Sequence, residues 1–341
     1  MRMKEIVVIS GKGGTGKTSI VASFAALAGS TGSRQAGKAV VADCDVDAAD
    51  LHLVLAPTIL RREEFRSGHE AIIRQADCIG CGACLARCRF GAVVRLAGAA
   101  DAFFAEGRTV CENCADGCVR SCPVRVADMV QAMKDAGGHQ DEPRFVIDST
   151  ACEGCGVCVW ACPVKAIDFP ERLSGEWYVS DTRHGPLVHA RLNPGGENSG
   201  KLVSKVREAA RALAVERKSE LILVDGPPGV GCAVIASVSG ASQVLVVTEP
   251  TLSGAHDLAR VMELTRHFNI PTAVCVDKWD LNEEMTERIE SDARQAGATI
   301  AGRVRYDEAI TAAQLQGLAV TETDTTPLVQ DINAVWGNLS R

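Results

Sequence analysis

Near the start of the chain stands Gly11-Lys12-Gly13-Gly14-Thr15-Gly16-Lys17-Thr18, a glycine-rich run between a short apolar segment and a helical one. Glycines at this spacing let the backbone curl so that its amides face a phosphate. The helix start beyond adds partial positive charge, and Lys17 adds a full one. Thr18 supplies a hydroxyl of the kind that ligates Mg²⁺. Far along the chain, Leu221-Ile222-Leu223-Val224-Asp225 is an apolar run ending in an acid, followed by Gly226-Pro227-Pro228-Gly229. A carboxylate at the end of such a strand is placed to support the same Mg²⁺. A third acidic group, Asp43-Cys44-Asp45-Val46-Asp47, closes another short apolar run. Its acids either cap and line a loop, or one of them, Asp45, orients an attacking water.

Cysteine chemistry is the second signal. Fifteen cysteines are present, and twelve of them fall in three blocks of four. Such clustering in a chain without secretory features points to metal ligation rather than disulfides. Cys78-x2-Cys81-x2-Cys84-x3-Cys88 and Cys152-x2-Cys155-x2-Cys158-x3-Cys162-Pro163 carry the spacing of bacterial ferredoxins, in which the fourth cysteine of each run ligates the other cluster. The expected ligand sets are therefore Cys78, Cys81, Cys84 and Cys162 for one [4Fe–4S] cluster, and Cys152, Cys155, Cys158 and Cys88 for a second. Zinc is the alternative occupant of four-cysteine sites. The middle block, Cys111-x2-Cys114-x3-Cys118-x3-Cys122-Pro123, has one residue more between its second and third cysteines. It binds a third [4Fe–4S] cluster, exchanges ligands with a flanking run, or holds zinc. Cys44 and Cys275 lie in or beside apolar runs and read as core thiols. For Cys232, burial statistics also favour a core thiol.

The elements that must hold these residues alternate between strand and helix. Ile6–Ser10, Lys38–Ala42, Leu221–Asp225, Gln243–Thr248 and Thr272–Asp277 read as strands buried on both faces, short and rich in Val and Ile. Ser19–Ala28, Leu258–Phe268, Asn282–Ala296 and Tyr306–Gln316 read as helices. Cysteine-, glycine- and alanine-rich sequence interrupts this rhythm. The expected organisation is one α/β P-loop domain with a mostly parallel sheet, residues 1–67 and 171–341, carrying an inserted ferredoxin-like [4Fe–4S] domain over residues 68–170. The formal net charge of −7 and the lack of a dense basic run argue against nucleic acid. No apolar run is long enough to cross a bilayer, and Leu328–Arg341 is poor in basic residues, so membrane insertion is not expected. Without signal-peptide architecture, a cytoplasmic location is expected.

Lys12, preceding Gly13-Gly14, resembles the signature lysine of the deviant Walker A ATPases, the Mrp/MinD/ParA group that includes the nitrogenase iron protein. Asp225-Gly226-Pro227-Pro228-Gly229-Val230-Gly231-Cys232, Glu197-Asn198-Ser199-Gly200-Lys201-Leu202-Val203 and Thr248-Glu249-Pro250-Thr251-Leu252-Ser253-Gly254 resemble a Mrp/MinD-type subgroup with an inserted ferredoxin domain, within the CobQ/CobB/MinD/ParA nucleotide-binding family. The resemblance covers nearly the whole chain. It implies ATP and Mg²⁺ as cofactors, with Gly11, Lys12, Gly13, Gly14, Thr15, Gly16, Lys17 and Thr18 around the phosphates. It implies Asp45 as the switch I acid, Asp225 as the Walker B acid and Gly226–Gly229 as switch II. It also implies a homodimer, or a heterodimer with a related ATPase, in which Lys12 reaches the partner's phosphates. Asp277 and Lys278 stand at the base-contact motif, where the subgroup has Asn-Lys. Asp277 lacks the amide donors of that asparagine, but ATP remains the expected nucleotide. Arg89 replaces the proline that usually follows the first cysteine run. Cys232 stands at the offset from Asp225 at which the nitrogenase iron protein places a ligand of its subunit-bridging cluster.

These parts together imply a Mg-ATP hydrolase, slow in isolation, that couples nucleotide-driven motion to electron transfer toward a partner metalloprotein. The alternative is an ATPase that assembles or delivers Fe–S clusters or another metallocofactor. Cluster carriers of the Mrp group use a C-terminal Cys-x-x-Cys, and no cysteine follows Cys275 here. A positioning ATPase would give the cysteines no role, and no glutaminase domain is present to support an amidase.

Overall fold

The computed structural model describes residues 3–30, 39–95, 145–194, 196 and 199–340. The chain divides into two compact units. The first comprises Met1–Phe65, Gly175–Leu192 and Asn198–Arg341, and the second Arg66–Ser174 with Asn193–Glu197.

The first unit opens with β1 (Lys4–Ser10), the glycine-rich loop and α1 (Lys17–Ser30), then β2 (Val40–Asp43), the short α2 (Leu51–Leu55) and β3 (Thr58–His69), which leaves for the second unit. In the second unit lie β4 (Ile72–Ile73), α3 (Ala83–Arg87), β5 (Val93–Arg95), β6 (Phe145–Ile147), α4 (Val157–Ala161) and β7 (Ile167–Asp168). The chain returns on β8 (Glu171–Thr182) and β9 (Gly185–Leu192). It continues through α5 (Ser199–Arg217), β10 (Leu221–Pro228), α6 (Cys232–Val238), β11 (Gln243–Thr248), α7 (Leu252–His267), β12 (Thr272–Asp277), α8 (Glu283–Gln295), β13 (Thr299–Val304), α9 (Ala309–Leu315) and α10 (Pro327–Leu339). No helix among the described residues is long and apolar enough to cross a membrane.

Nine strands form one sheet in the order β13-β12-β11-β1-β10-β2-β9-β8-β3. Pairing is parallel from β13 to β9, and β8 joins antiparallel to β9. Successive side chains on a strand face opposite sides, and here both sides are apolar. Ile6, Val8, Val41, Leu223, Leu245 and Cys275 pack on one face with Phe24 of α1 and Ile332 of α10. Val7, Ile9, Val40, Val224, Val246 and Val274 pack on the other with Val206 of α5 and Val261 of α7. Burial on both faces explains why these strands read as continuous Val/Ile runs. Register puts Asp225 directly beside Asp43, so the strand ends carry two acids into one place.

Among its described residues the second unit shows two copies of one local plan. α3 and α4 each start after a left-handed glycine, Gly82 (φ 73°) or Gly156 (φ 71°), and each ends on a cysteine of nearly identical backbone, Cys88 (φ −75°, ψ 112°) or Cys162 (φ −73°, ψ 112°). A residue with a Cβ is strained at such positive φ. β4 pairs with β7 and β5 with β6, both antiparallel, so each small sheet takes one strand from each copy. β4 precedes the first cysteine run and β7 follows the second, which carries Cys162 toward Cys78. β6 precedes the second run and β5 follows the first, which carries Cys88 toward Cys152. This strand pairing brings the fourth cysteine of each run toward the other run.

Candidate functional site

The loop between β1 and α1 forms one wall of a cleft of about 720 Å³, lined by Gly13, Gly14, Thr15, Gly16, Lys17 and Thr18. Gly14 (φ 80°) and Gly16 (φ 76°) take the left-handed backbone that the curl requires. Lys17 is buried and stands 3.7 Å from Asp45 Oδ2. Burial raises the pKa of Asp45, against the opposing pull of the Lys17 charge. Asp47 and Asp50 also line or face this wall. Pro227 and Pro228 at the end of β10 and Gly231 beyond it also line the cleft, and the Gly229 N–H donates to the Ser10 carbonyl at 2.8 Å.

Asp225 lies beneath the cleft, 1% exposed, and neither of its carboxylate oxygens has a hydrogen-bond partner. Burial pushes its pKa up to about 6, opposed by Lys17 and Thr18 and assisted by Asp45 and Asp50. Asp43 is the residue that sequence reasoning missed. It is fully buried, its Oδ1 accepts from the Asp45 amide at 3.1 Å, and its Oδ2 is unpartnered. Burial and the neighbouring Asp225 charge raise its pKa well above the usual range. The sequence shows Asp43 only as one of the acids after an apolar run, and its place beside Asp225 comes from the strand register. Buried carboxylates without partners are costly. A divalent cation or polarised water beside Thr18 relieves that cost, so the residues present fit Mg²⁺.

Lys12 is exposed and does not line the cleft of its own chain, while its carbonyl accepts from Ser10 Oγ at 2.6 Å. Gly11 packs against Asp257 of α7 so closely that an added Cβ would stand 2.3 Å from Asp257 Cβ. The cleft is also lined by Asp277, Lys278, Arg305, Tyr306, Ile310 and Gln314, of which the sequence reading named only the first two. Cys44 and Cys275 are fully buried. Cys232 departs from the core-thiol expectation. It is exposed and lines the cleft, because it opens α6 directly after the glycine–proline loop rather than sitting within a packed helix face.

In the second unit Cys78, Cys81, Cys84 and Cys162 line one small apolar pocket with Ile73, Phe145 and Ile167. Cys152, Cys155, Cys158 and Cys88 line another with Val93, Ile147 and Phe169. Burial pushes the Cys84 thiol up to about 12 and also raises Cys81 and Cys158. At Cys88 burial acts upward too, but the surrounding amides of Phe90, Val93, Ala92 and Gly91 outweigh it and lower its pKa. The equivalent amide in the other copy, Ala166 N–H, donates to Cys162 Sγ at 3.2 Å. Among the described residues no group of three or more His, Cys, Asp or Glu is arranged to hold a metal ion directly. Each quartet lines one pocket, with four thiol donors of the kind that hold a [4Fe–4S] cluster or a zinc ion. Donor type, apolar lining and amides aimed at sulfur all fit a [4Fe–4S] cluster, which supplies one-electron redox chemistry when bound. Cys111, Cys114, Cys118 and Cys122 lie outside the described residues.

Comparison with known proteins places both halves of this picture. The profile of the CobQ/CobB/MinD/ParA nucleotide binding domain matches residues 6–320. An uncharacterized protein of Methanocaldococcus jannaschii is 30% identical over 281 residues, covering 82% of this chain and 79% of that protein. A 7Fe ferredoxin of Hydrogenibacillus schlegelii is 34% identical over 68 residues, 19% of this chain and 73% of its own. Among solved structures, the septum site-determining protein MinD of Pyrococcus horikoshii, complexed with Mg-ADP, superposes with a TM-score of 0.54 at 13% identity, over 99% of this chain and 96% of that one. At that identity the likeness establishes a shared fold.

Proposed function

Since the chain belongs to the CobQ/CobB/MinD/ParA nucleotide-binding family, we propose that it is a dimeric Mg-ATP hydrolase whose nucleotide cycle controls electron transfer through two [4Fe–4S] clusters to a partner metalloprotein. The observation that carries this reading is the sorting of eight cysteines into two four-thiol pockets within a chain that also holds a phosphate-loop cleft. β3 leaves for the cysteine-rich unit soon after the Asp45 segment and α2, and β8 returns from it. A change at Asp45 therefore has a short covalent route to the clusters.

The geometry of the cleft supports the following roles. Lys17 and the loop amides neutralise the phosphates, Thr18 and Asp225 hold Mg²⁺, and Asp45 positions the attacking water once Lys17 has turned to phosphate. Asp43 holds the Asp45 backbone through its amide. Lys12, exposed and outside its own cleft, is free to reach the phosphates of a second copy or a related subunit. Preorganised charge of this kind supplies most of the rate in phosphoryl transfer. Turnover is slow until the partner docks. The block Cys111–Cys122 adds a third cluster in this reading.

The test is iron and sulfide content of anaerobically purified protein, with electron paramagnetic resonance of the reduced form with and without Mg-ATP. About eight irons per chain from two cubanes, or about twelve with a third, are expected, with signals that shift on adding Mg-ATP. Clusters indifferent to nucleotide and readily lost to an apo-acceptor would replace this reading with cluster assembly or delivery.

A further inference from the structure

Asp277 ends β12, lines the cleft and is 2% exposed. Its Oδ2 lies against Gly16 of the phosphate loop, where an added Cβ would stand 2.6 Å away. Its Oδ1 is buried without a hydrogen-bond partner. The cation nearest in sequence, Lys278, is committed to Glu249 Oε1. Glu249 and Asp280 bring further negative charge toward Asp277. Elsewhere on the cleft walls, Lys17 is paired with Asp45 and Arg305 with Asp331. The carboxyl therefore sits in a dry wall with one polar atom unmet and its neighbouring cations engaged. Burial, the largest influence, brings its pKa to about 7, with Lys278 opposing and Glu249 and Asp280 assisting.

We propose that Asp277 meets the nucleotide as a neutral carboxylic acid and thereby selects adenine over guanine. This deepens the nucleotide-hydrolase reading and rests on it. A neutral carboxyl carries one O–H donor and one carbonyl acceptor, whereas an ionised one only accepts. Adenine presents the complementary edge, with N7 as acceptor and the N6 amine as donor, while guanine presents two acceptors, N7 and O6. The protonated acid matches the first edge on both atoms and sets its carbonyl oxygen against O6 of the second. Deprotonation removes the donor and sets a carboxylate against N7. Asp277 thus does with a proton what an asparagine does with its amide, and makes that contact dependent on pH.

The experiment is calorimetric titration of nucleotide-free, full-length protein with Mg-ATP and with Mg-GTP, at about pH 6 and about pH 8, for the parent and for Asp277→Asn. Ionisation around neutrality weakens Mg-ATP binding by the parent about tenfold between these conditions. The isosteric Asn variant shows no more than the residual change arising from Asp45, Asp225 and the phosphates. The parent prefers Mg-ATP to Mg-GTP at the lower pH by about tenfold or more, the value of roughly one unmatched hydrogen bond. Equal pH dependence in the two proteins, or tighter binding by the parent at the higher pH, overturns the proposal. A second measurement needs no variant. Titration in two buffers of different ionisation enthalpy shows proton uptake by the parent on binding Mg-ATP near neutrality, and zero uptake refutes the proposal. Failure of either protein to bind any nucleotide at either pH would remove the nucleotide reading itself, an outcome distinct from binding that is indifferent to pH.

Discussion

The Lys17 ammonium, buried in the phosphate loop, stands 3.7 Å from Asp45, the acid in the loop that follows β2. Without nucleotide the two charges answer one another. On the proposed reading, a phosphate in the cleft competes for Lys17 and leaves Asp45 a carboxylate with no cation, able to accept a hydrogen bond from water. Binding and release of Asp45 are thus linked through a single lysine.

Two substitutions separate these roles. Lys17→Ala leaves the cleft net negative, and Mg-ATP binding is expected to fall by at least about 10²-fold, the scale of losing a charge-assisted contact to a buried anion. Asp45→Asn removes the competitor for Lys17 but also the acceptor for water. Mg-ATP binding is retained or modestly tightened, while hydrolysis drops by roughly 10²-fold or more, as when one preorganised catalytic contact is removed. Binding by fluorescent-nucleotide titration and single-turnover hydrolysis check the pair. Normal hydrolysis by either variant would remove these residues from the site.

The crossed cysteine lining of the two pockets gives a prediction that simple loop-by-loop ligation does not. Cys162 lines the pocket of Cys78, Cys81 and Cys84, and Cys88 that of Cys152, Cys155 and Cys158. The double variant Cys162→Ser/Cys78→Ser is expected to lose about four irons per chain, one cubane. The variant Cys162→Ser/Cys152→Ser touches both pockets and disturbs both signals. If each run held its own cluster, the second variant would lose one cluster and the first would lose two. Iron analysis and spin-counted resonance of the reduced proteins distinguish the cases.

Much of this arrangement was legible in the sequence, and the parts that were not have physical reasons. β11 and β12 have the bounds expected for them, because a strand buried on both faces leaves an uninterrupted Val/Ile run. The pocket partners followed from cysteine spacing. β3 escaped notice because Thr58–Glu64 is exposed along its length and carries Arg61, Arg62, Glu63 and Glu64, so no alternation of burial marks it as a strand. α7 begins six residues before the expected Leu258, at Leu252, because its start is fixed by Thr251 capping the Gly254 amide rather than by apolar spacing. Asp43 escaped because its importance lies in the register that places it beside Asp225, and single-chain spacing does not state register.

Arg207 ties β1 to the end of α6. It is buried on α5, bonds Glu5 of β1, and donates to the carbonyls of Ala236 and Ser239 at the end of α6. Arg207→Met leaves Glu5 nearly buried with only the half-exposed Arg211 as partner, and frees both carbonyls. A loss of about 3 kcal/mol or more is expected for a broken buried pair, seen as a lowered denaturant midpoint. Arg207→Lys restores the charge but not the fork, and recovers only part.

The buried acids of the cleft make the nucleotide-free protein less stable as pH rises. Burial raises Asp277 to about 7 and Asp225 to about 6, so both hold protons in the fold that they lose when unfolded. An acid whose folded pKa lies above its unfolded value, near 4, destabilises the fold progressively as pH climbs from about 4 to about 7. Glu322 behaves in the opposite sense. Burial raises it, but Arg183, the Ala319 amide and His184 outweigh that and hold it at about 2, so its contribution is complete above about 4 and fades only as pH falls below that value. Burial also holds His189 at about 4, which adds stability as pH climbs to about 6.5. Between about pH 5 and about pH 8, however, the cleft acids together outweigh it. Thermal unfolding of the nucleotide-free protein is expected at a lower temperature at the higher pH, and Asp277→Asn raises that temperature at about pH 8 by the equivalent of roughly 1–3 kcal/mol, while changing little at about pH 5. A variant that stabilises equally at both values would show that Asp277 acts through packing against Gly16 and not through its charge.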